Sequence, residues 1–276
     1  MAVSSVGSSG AELAGLSQLS RSRQAEQAAQ RRIATGSRVP GADVDGAAFA
    51  VGQGIQGDIG GLGAVNQQLG QARGVTGTAL QAATSISDTL TQARTTLVKL
   101  ADGNLSADQR AQYSADLQRL GGEIGTFIEN GGSNGRNLVQ AGPNGSTVGD
   151  AEGGQITLTN AGLTAAAAST ALGGGGTIGA GQAASLLQNG GGLDQISQQV
   201  GDALVNIAGD QRRIDNQRQF NSALSDANTA AAGAVADADL AREATAAAGD
   251  SVRSQLGIAV QAAATRRRGN IVDLFV

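Results

Sequence analysis

The chain contains no cysteine and no histidine among its 276 residues. These absences exclude thiol catalysis, disulfide bonds and the usual imidazole or zinc chemistry. Aromatic residues make up only 2% of the chain, with no tryptophan, one tyrosine and four phenylalanines. Because aromatic side chains dominate thick globular cores, we expect thin helical layers that pack through leucine, isoleucine, valine and alanine. The two prolines leave long stretches free to be helical.

Charge and hydropathy exclude two further classes of partner. The formal net charge of −4 and the pI near 4.9 argue against a dedicated nucleic-acid-binding protein. The sequence has no run of about 18 apolar residues, so no membrane-spanning segment is expected. The first residues have neither the basic region nor the apolar stretch of a cleaved signal peptide. If the protein leaves the cell, we therefore expect a route without such a signal.

Both ends of the chain carry apolar residues in unusual number. Terminal residues tend to fray unless a partner holds them, so apolar ends predict a subunit that completes its fold only when it assembles. The residues predicted to form this subunit interface are Val3, Val6, Leu13, Leu16, Leu19, Val252, Leu256, Val260, Ile271, Leu274 and Phe275.

The spacing of apolar residues predicts a chain of helices. Steps of three and four residues predict an amphipathic helix over residues 12–33 and a long helix over residues 45–100. Glycines at 74 and 77 mark the point where a break in the long helix is most expected. Ser106 and Gln109 predict the capped start of a third helix that ends near Asn130. A heptad that begins at Leu193 predicts a coiled-coil helix, and after an interruption at residues 237–239 a last helix runs towards Leu274.

Residues 131–192 differ in character from the helices on either side. Asparagine, glycine, serine and threonine become frequent, and short strands are predicted at residues 137–139 and 155–159. The segment 163–181 is rich in alanine and glycine and offers little to pack with. We therefore expect it to be an irregular surface module.

The order of these elements is close to a palindrome, which predicts that the two halves of the chain pair. The fold class is mainly α, a long-helix bundle or coiled coil with paired N- and C-terminal helices and a small β-rich insert. Residues 1–44 and 237–276 are predicted to form one terminal coiled-coil domain. Residues 45–236 are predicted to form a helical rod domain with the insert at about 131–192.

Acidic residues cluster at the two connectors, which follow the first helix and precede the last. Paired carboxylates can act as general acid and base or hold a divalent cation. Helix N-capping and dipole compensation explain the same positions, because a helix begins after each cluster, and this interpretation is favoured. The connector residues singled out are Gly36, Arg38, Asp43, Asp45, Asp237 and Asp239.

The triplet Arg266, Arg267 and Arg268 could contact phosphate, but cations near a helix C-terminus need no ligand. The triplet could also face a polar channel or a neighbouring subunit. The glycine runs lack the Lys-Ser/Thr ending of a phosphate loop, and no serine or threonine has a histidine base. We therefore predict no catalytic residue, no cofactor and no metal site, and a protein that is not an enzyme.

Several motifs, in their order along the chain, resemble those of the bacterial flagellins. The run IATGSRV at residues 33–39, followed by ADVDGA at 42–47, is similar to the family's L-S-S-G-x-R-I and A-x-D-D-A-A. FNSAL at 220–224 and ADADLARE at 236–243 resemble F-N-S-A-I and D-A-D-x-A-x-E. NGRNLV at 134–139, GIAVQ at 257–261 and residues 271–275 also match the family pattern. The resemblance covers about the first 140 and the last 85 residues.

This resemblance implies a short flagellin without large outer domains. In that family the terminal helices form the inner tube of a hollow propeller filament, and the long helices with a β-hairpin form the outer tube. The implied partners are other copies of the chain, an export chaperone, the filament cap and the hook-junction proteins. Export through the flagellar type III apparatus is implied as well. Arg266, Arg267 and Arg268 replace a usually polar stretch, and on this reading they would make the channel more basic.

Two alternatives stay open at this point. A hook–filament junction protein shares the end motifs but is present in few copies. A secreted enzyme or adhesin would use the middle segment, and the absence of histidine and cysteine counts against it.

Overall fold

The computed structural model describes residues 3–142, 147–149 and 154–273, and within them the side chains of residues 3–12, 264 and 267–273 are left undescribed. Helices dominate the described chain, and two antiparallel hairpins of very short strands accompany them. The elements are α1 (Val3–Thr35), α2 (Gly46–Leu100), α3 (Ala107–Asn130), β1 (Gly132–Ser133), β2 (Arg136–Asn137), β3 (Thr147–Gly149), β4 (Gln155–Thr157), α4 (Ala165–Ala171), α5 (Ala180–Leu187), α6 (Gly192–Ala236) and α7 (Leu240–Asp273).

The chain divides into two compact units. The terminal unit comprises Met1–Ile59 and Asp226–Val276, and the central unit comprises Gly60–Ser225. Helices α2 and α6 contribute residues to both units. The predicted limits at residues 44 and 237 fall instead at the connectors, and the assignment of assembly domains to those limits stays a prediction.

The core of the central unit is built from the apolar faces of α2, α3 and α6. Helix α6 contributes the predicted heptad, in which Leu193, Val200, Ile207 and Ile214 are all buried. Helix α2 is continuous through Gly74 and Gly77, so the predicted weak point does not break it. The apolar contacts of its buried face offset the low helix propensity of those glycines.

The turn between α2 and α3 is closed by side chains that the sequence identifies as capping residues. The Ser106 hydroxyl accepts the Gln109 backbone N–H at 3.2 Å, and the Gln109 side chain accepts the Ser106 N–H at 3.1 Å. The Arg110 guanidinium donates to the carbonyl oxygens of Leu100 and Asp102, each at 2.8 Å. These bonds satisfy backbone groups that the end of one helix and the start of the next leave open.

Hairpin β1–β2 lies directly after α3 and turns at Asn134 and Gly135. Both residues have positive φ, 53° and 73°, which is the backbone of the type I′ turn that an Asn-Gly pair favours. Asn137 of β2 is buried and serves four backbone groups. Its amide donates to the carbonyl oxygens of Ile128 and Glu129, and its carbonyl oxygen accepts the N–H groups of residues 139 and 140.

The prediction of an irregular surface module over residues 163–181 is wrong. This segment contains α4, which packs on α3, and it is part of the core of the central unit. A methyl group built on Gly125 of α3 would lie 3.2 Å from the Cβ of Ala165 in α4, so the two helices approach as closely as small residues allow. The apolar residues buried by this segment and by α5 are Leu163, Ala168, Leu172, Ile178 and Ala183.

Candidate functional site

The terminal unit is organised around an antiparallel pair formed by α1 and α7. Near the middle of both helices, a methyl group built on Gly257 would lie 3.4 Å from Cδ1 of Leu19. Near the end of α1 and the start of α7, Nη2 of Arg32 lies 2.9 Å from Oε2 of Glu243. From the first contact to the second, the residue number rises in α1 and falls in α7. The N- and C-terminal helices therefore run in opposite directions, as the palindromic order predicts.

The seam between these two helices is made of small and polar residues. On α7 the less exposed positions recur at steps of four and three residues, which is the spacing of a coiled-coil seam. Both Ser22 of α1 and Ser254 of α7 are buried there. The seam positions of α7 are Glu243, Ala247, Asp250, Ser254, Gly257 and Gln261, and those of α1 include Leu19, Ser22, Glu26, Ala29 and Arg32.

The large apolar side chains of α1 and α7 lie outside this seam. Their exposed fractions run from 52% for Leu16 to 69% for Leu13, and Val260 of α7 is 66% exposed. Val252 and Leu256 lie one turn apart on α7 and are similarly exposed. Burying such a side chain contributes about 1.5–3 kcal/mol relative to leaving it in water. We call these exposed side chains the apolar faces of α1 and α7. They are Leu13, Leu16, Val252, Leu256 and Val260.

The other residues predicted at the subunit interface are either buried within the chain or lie outside the described residues. Leu19 is buried in the seam within the chain. The side chains of Val3, Val6 and Ile271, together with Leu274 and Phe275, lie outside the described residues. Ile258 is exposed on α7 and was not among the predicted residues, although it lies two positions after Leu256 in the same apolar stretch.

The two connectors meet in a short backbone bridge. Gly36 has a φ of 68°, which turns the chain out of α1, and its carbonyl oxygen accepts the Ala238 N–H at 3.0 Å. The Arg38 N–H donates to the Ala236 carbonyl oxygen at 2.6 Å. The Arg38 guanidinium donates to the Val235 carbonyl oxygen, also at 2.6 Å, in the last turn of α6. The segment after α1 is thus joined to the segment before α7.

The aspartates of the connectors lie at helix starts and in the turns beside them. A carboxylate oxygen of Asp45 accepts the Ala48 N–H at 2.9 Å at the start of α2. Asp239 accepts the Arg242 N–H at 3.1 Å at the start of α7. Asp43 lies in the turn before α2, and Asp237 pairs with Ser37 in the bridge. Within the described parts of the chain, no group of acidic residues has the arrangement of a metal site.

The arginine triplet is described only in part. Arg266 is exposed on α7, while the side chains of Arg267 and Arg268 lie outside the described residues. None of the helices in the described ranges combines the length and apolar character needed to cross a membrane.

Sequence reasoning found the apolar residues but missed the seam. The spacing of Ala247, Ser254 and Gln261 by seven residues was the available signal. Periodicity arguments weigh large apolar side chains, and a seam of serine, alanine and glycine gives them little weight.

The family match and the similar full-length chains indicate one family. Residues 6–142 match the family described as "Bacterial flagellin N-terminal helical region". The chain is similar to Flagellin FljM of Caulobacter vibrioides, with 24% identity over 283 residues that span 100% of both chains. It is similar to Flagellin FljJ of the same organism, with 29% identity over 276 residues that span 95% of each. The crystal structure of Bacillus cereus flagellin aligns with a TM-score of 0.48 and 19% identity, over 56% of this chain and 88% of that one.

Proposed function

The chain belongs to the bacterial flagellins and is a subunit of the flagellar filament, and we propose that copies assemble through the apolar faces of α1 and α7. Flagellins are structural proteins and not enzymes. The filament is extracellular, which places an assembled copy outside the cell.

One observation carries this proposal. The α1·α7 seam uses small and polar residues, so the pairing of the two helices leaves Leu13, Leu16, Val252, Leu256 and Val260 in water. Large apolar side chains exposed on one face of a helix are typical of protein interfaces. A contact between copies would remove these side chains from water at no cost to the seam inside each copy.

The assignment of domains follows the same logic. We assign residues 1–44 and 237–276 to the inner tube, where their apolar faces meet those of neighbouring copies. We assign residues 45–236 to the outer tube, with the insert at about 131–192 on the rod. Arg266, Arg267 and Arg268 are assigned to the channel side, in line with what the resemblance implies. The connector residues, including Gly36, Arg38 and Asp237, join the two parts.

Further partners follow from the family. Within this proposal, the chain leaves the cell through the flagellar type III apparatus, bound beforehand by an export chaperone. The filament cap and the hook-junction proteins are the other contacts expected at the two ends of a growing filament.

Elongation of sheared filament seeds by purified protein tests the proposal. Leu256→Ser or Val260→Ser removes apolar area from the proposed contact. We expect the critical concentration for elongation to rise by about tenfold or more for each, since a loss of about 1.4 kcal/mol per contact corresponds to that factor. The matched control is Gln255→Ser, an exposed polar position on the same helix, which should elongate normally.

Circular dichroism of the free subunits checks that each variant is as helical as the wild type. Normal elongation by both apolar variants would contradict the proposed contact. Wild-type protein that caps the seeds and stops growth would favour a junction role.

A further inference from the structure

A second surface, on the central unit, has the features of an interface between copies. Phe220 of α6 is 56% exposed, although the chain has only four phenylalanines. A groove of about 600 Å³ lies between α2 and the end of α3. Its lining includes Gly74, Gly77 and Phe127, and Phe220 is not part of it.

The geometry points to Phe220 of one copy inserting into this groove on a neighbouring copy, and we propose this contact as a determinant of filament packing. An open helical polymer needs heterologous contacts, in which two different patches on each copy are complementary. An exposed aromatic side chain and a separate apolar groove are such a pair. Aromatic residues that fill pockets are also the commonest anchors of protein interfaces.

The α2 wall of the groove carries no side chain at two positions, Gly74 and Gly77. A methyl group built on Gly74 or Gly77 would meet no other atom within 4 Å, so these glycines are not required by packing inside the copy. Glycine also costs a helix interior about 1 kcal/mol relative to alanine. If Phe220 of a neighbouring copy enters the groove, the two glycines leave the room that its side chain needs.

Exposed charges of opposite sign lie near the two patches. Arg212 is exposed about two helical turns before Phe220 on α6, and the neighbouring Arg213 is paired with Asp210 at 3.3 Å. Glu129 is exposed next to the end of the groove, and Glu123, one turn before Phe127 on α3, is paired with Arg119 at 3.4 Å. Arg73, which also lines the groove, is paired with Asp215 at 2.9 Å. Opposite charges at the rim favour the encounter of the two patches and set their orientation.

This inference rests on the self-assembly of the chain but not on the faces of α1 and α7. The first test fills the groove. Gly77→Leu adds a side chain in open space and improves helix propensity, so the copy should fold normally. We expect the critical concentration for polymerisation to rise by roughly thirtyfold, the loss typical of an aromatic anchor, and Phe220→Ala should act alike. Gly70→Leu is the matched control, because Gly70 also faces open space on α2 but does not line the groove.

The second test uses the absence of cysteine from the chain. In filaments of the double variant Gln219→Cys with Thr78→Cys, oxidation should give a ladder of covalently linked copies on a denaturing gel. Gln219→Cys with Thr95→Cys, which moves one thiol along α2 away from the groove, should give none. Filaments that form but yield no ladder, or equal losses for the two glycine variants, would overturn the contact. The proposed contact through the apolar faces of α1 and α7 can fail independently of this one, because its failure would appear as normal elongation by the Leu256→Ser variant.

Discussion

Leu19 of α1 packs against the bare backbone of Gly257 in α7, where an added methyl group would lie 3.4 Å from Cδ1 and 3.8 Å from Cβ of the leucine. The leucine therefore lies within ordinary van der Waals distance of position 257, where a methyl group still has room. This close approach allows two helices with a mostly small and polar seam to pair. It also leaves the larger apolar residues of both helices exposed.

Gly257→Ala is expected to stabilise the α1·α7 pair. Alanine improves helix propensity by about 1 kcal/mol, and its methyl group fits in ordinary contact with Leu19. Thermal unfolding followed by circular dichroism measures the effect. Gly249→Ala is the control, because the same gain in propensity comes there without any contact within 4 Å. A Gly257→Ala variant less stable than the Gly249→Ala variant would show that the seam cannot accept the methyl group.

Asp210→Ala is expected to destabilise the central unit by about 2 kcal/mol. The carboxylate of Asp210 is buried on α6 and accepts the Thr159 N–H at 2.6 Å. Its removal breaks a hydrogen bond from a backbone donor to a charged acceptor, and such bonds contribute about 1.5–3 kcal/mol. Urea denaturation measures the change, and Asp202→Ala, at an exposed position of the same helix, should shift stability by less than about 0.5 kcal/mol. Equal effects at the two positions would argue against a structural role for the buried bond.

Asn137→Ala is expected to cost on the order of 3 kcal/mol, because it leaves several buried backbone groups without partners. The amide of Asn137 lies 2.7 Å from the Ile128 carbonyl oxygen, and the Val139 N–H lies 2.8 Å from its side-chain oxygen. Asn134→Gly in the adjacent turn is the comparison. Its φ of 53° suits glycine, so this variant should be as stable as wild type. Denaturant midpoints for the two variants that do not differ would contradict this account.

Gly125→Leu is expected to displace α4 from α3. The space next to Gly125 is filled by Ala165 at 3.2 Å, and overpacking of this kind costs about 1–3 kcal/mol. Gly122→Leu, on the same helix but facing open space, should gain helix propensity instead. Hydrogen exchange of residues 165–171 reports on α4 directly. Protection that survives in the Gly125→Leu variant would mean that α4 does not depend on this contact.

Much of the helical architecture could be predicted because its signals are local. Ser106 and Gln109 lie three residues apart and form the capping box that starts α3. Asn134 and Gly135 define a turn through their own backbone preferences. The heptad from Leu193 identifies the buried face of α6, since large side chains repeat there at coiled-coil spacing.

The packing of the alanine-rich segment could not be predicted in this way. Ala165 and Ala168 carry little hydrophobic signal, and their burial depends on the glycine that α3 presents to them. A close contact of this kind joins residues far apart in the chain. It therefore becomes visible only when both helices are in place.

The sequence by itself determined the family, the presence of the long helices and the apolar residues at both ends, because motif order, caps and periodicity depend only on the order of residues. It placed the start of the first helix at residue 12, whereas α1 begins at Val3. Only the tertiary structure decided which face of α7 meets α1. Periodicity reveals that Val252, Leu256 and Val260 share one side of a helix, but it does not say what covers that side. The small residues opposite Leu19 let the two helices pair without these side chains, and the apolar faces stay exposed, where we propose that other copies of the protein cover them.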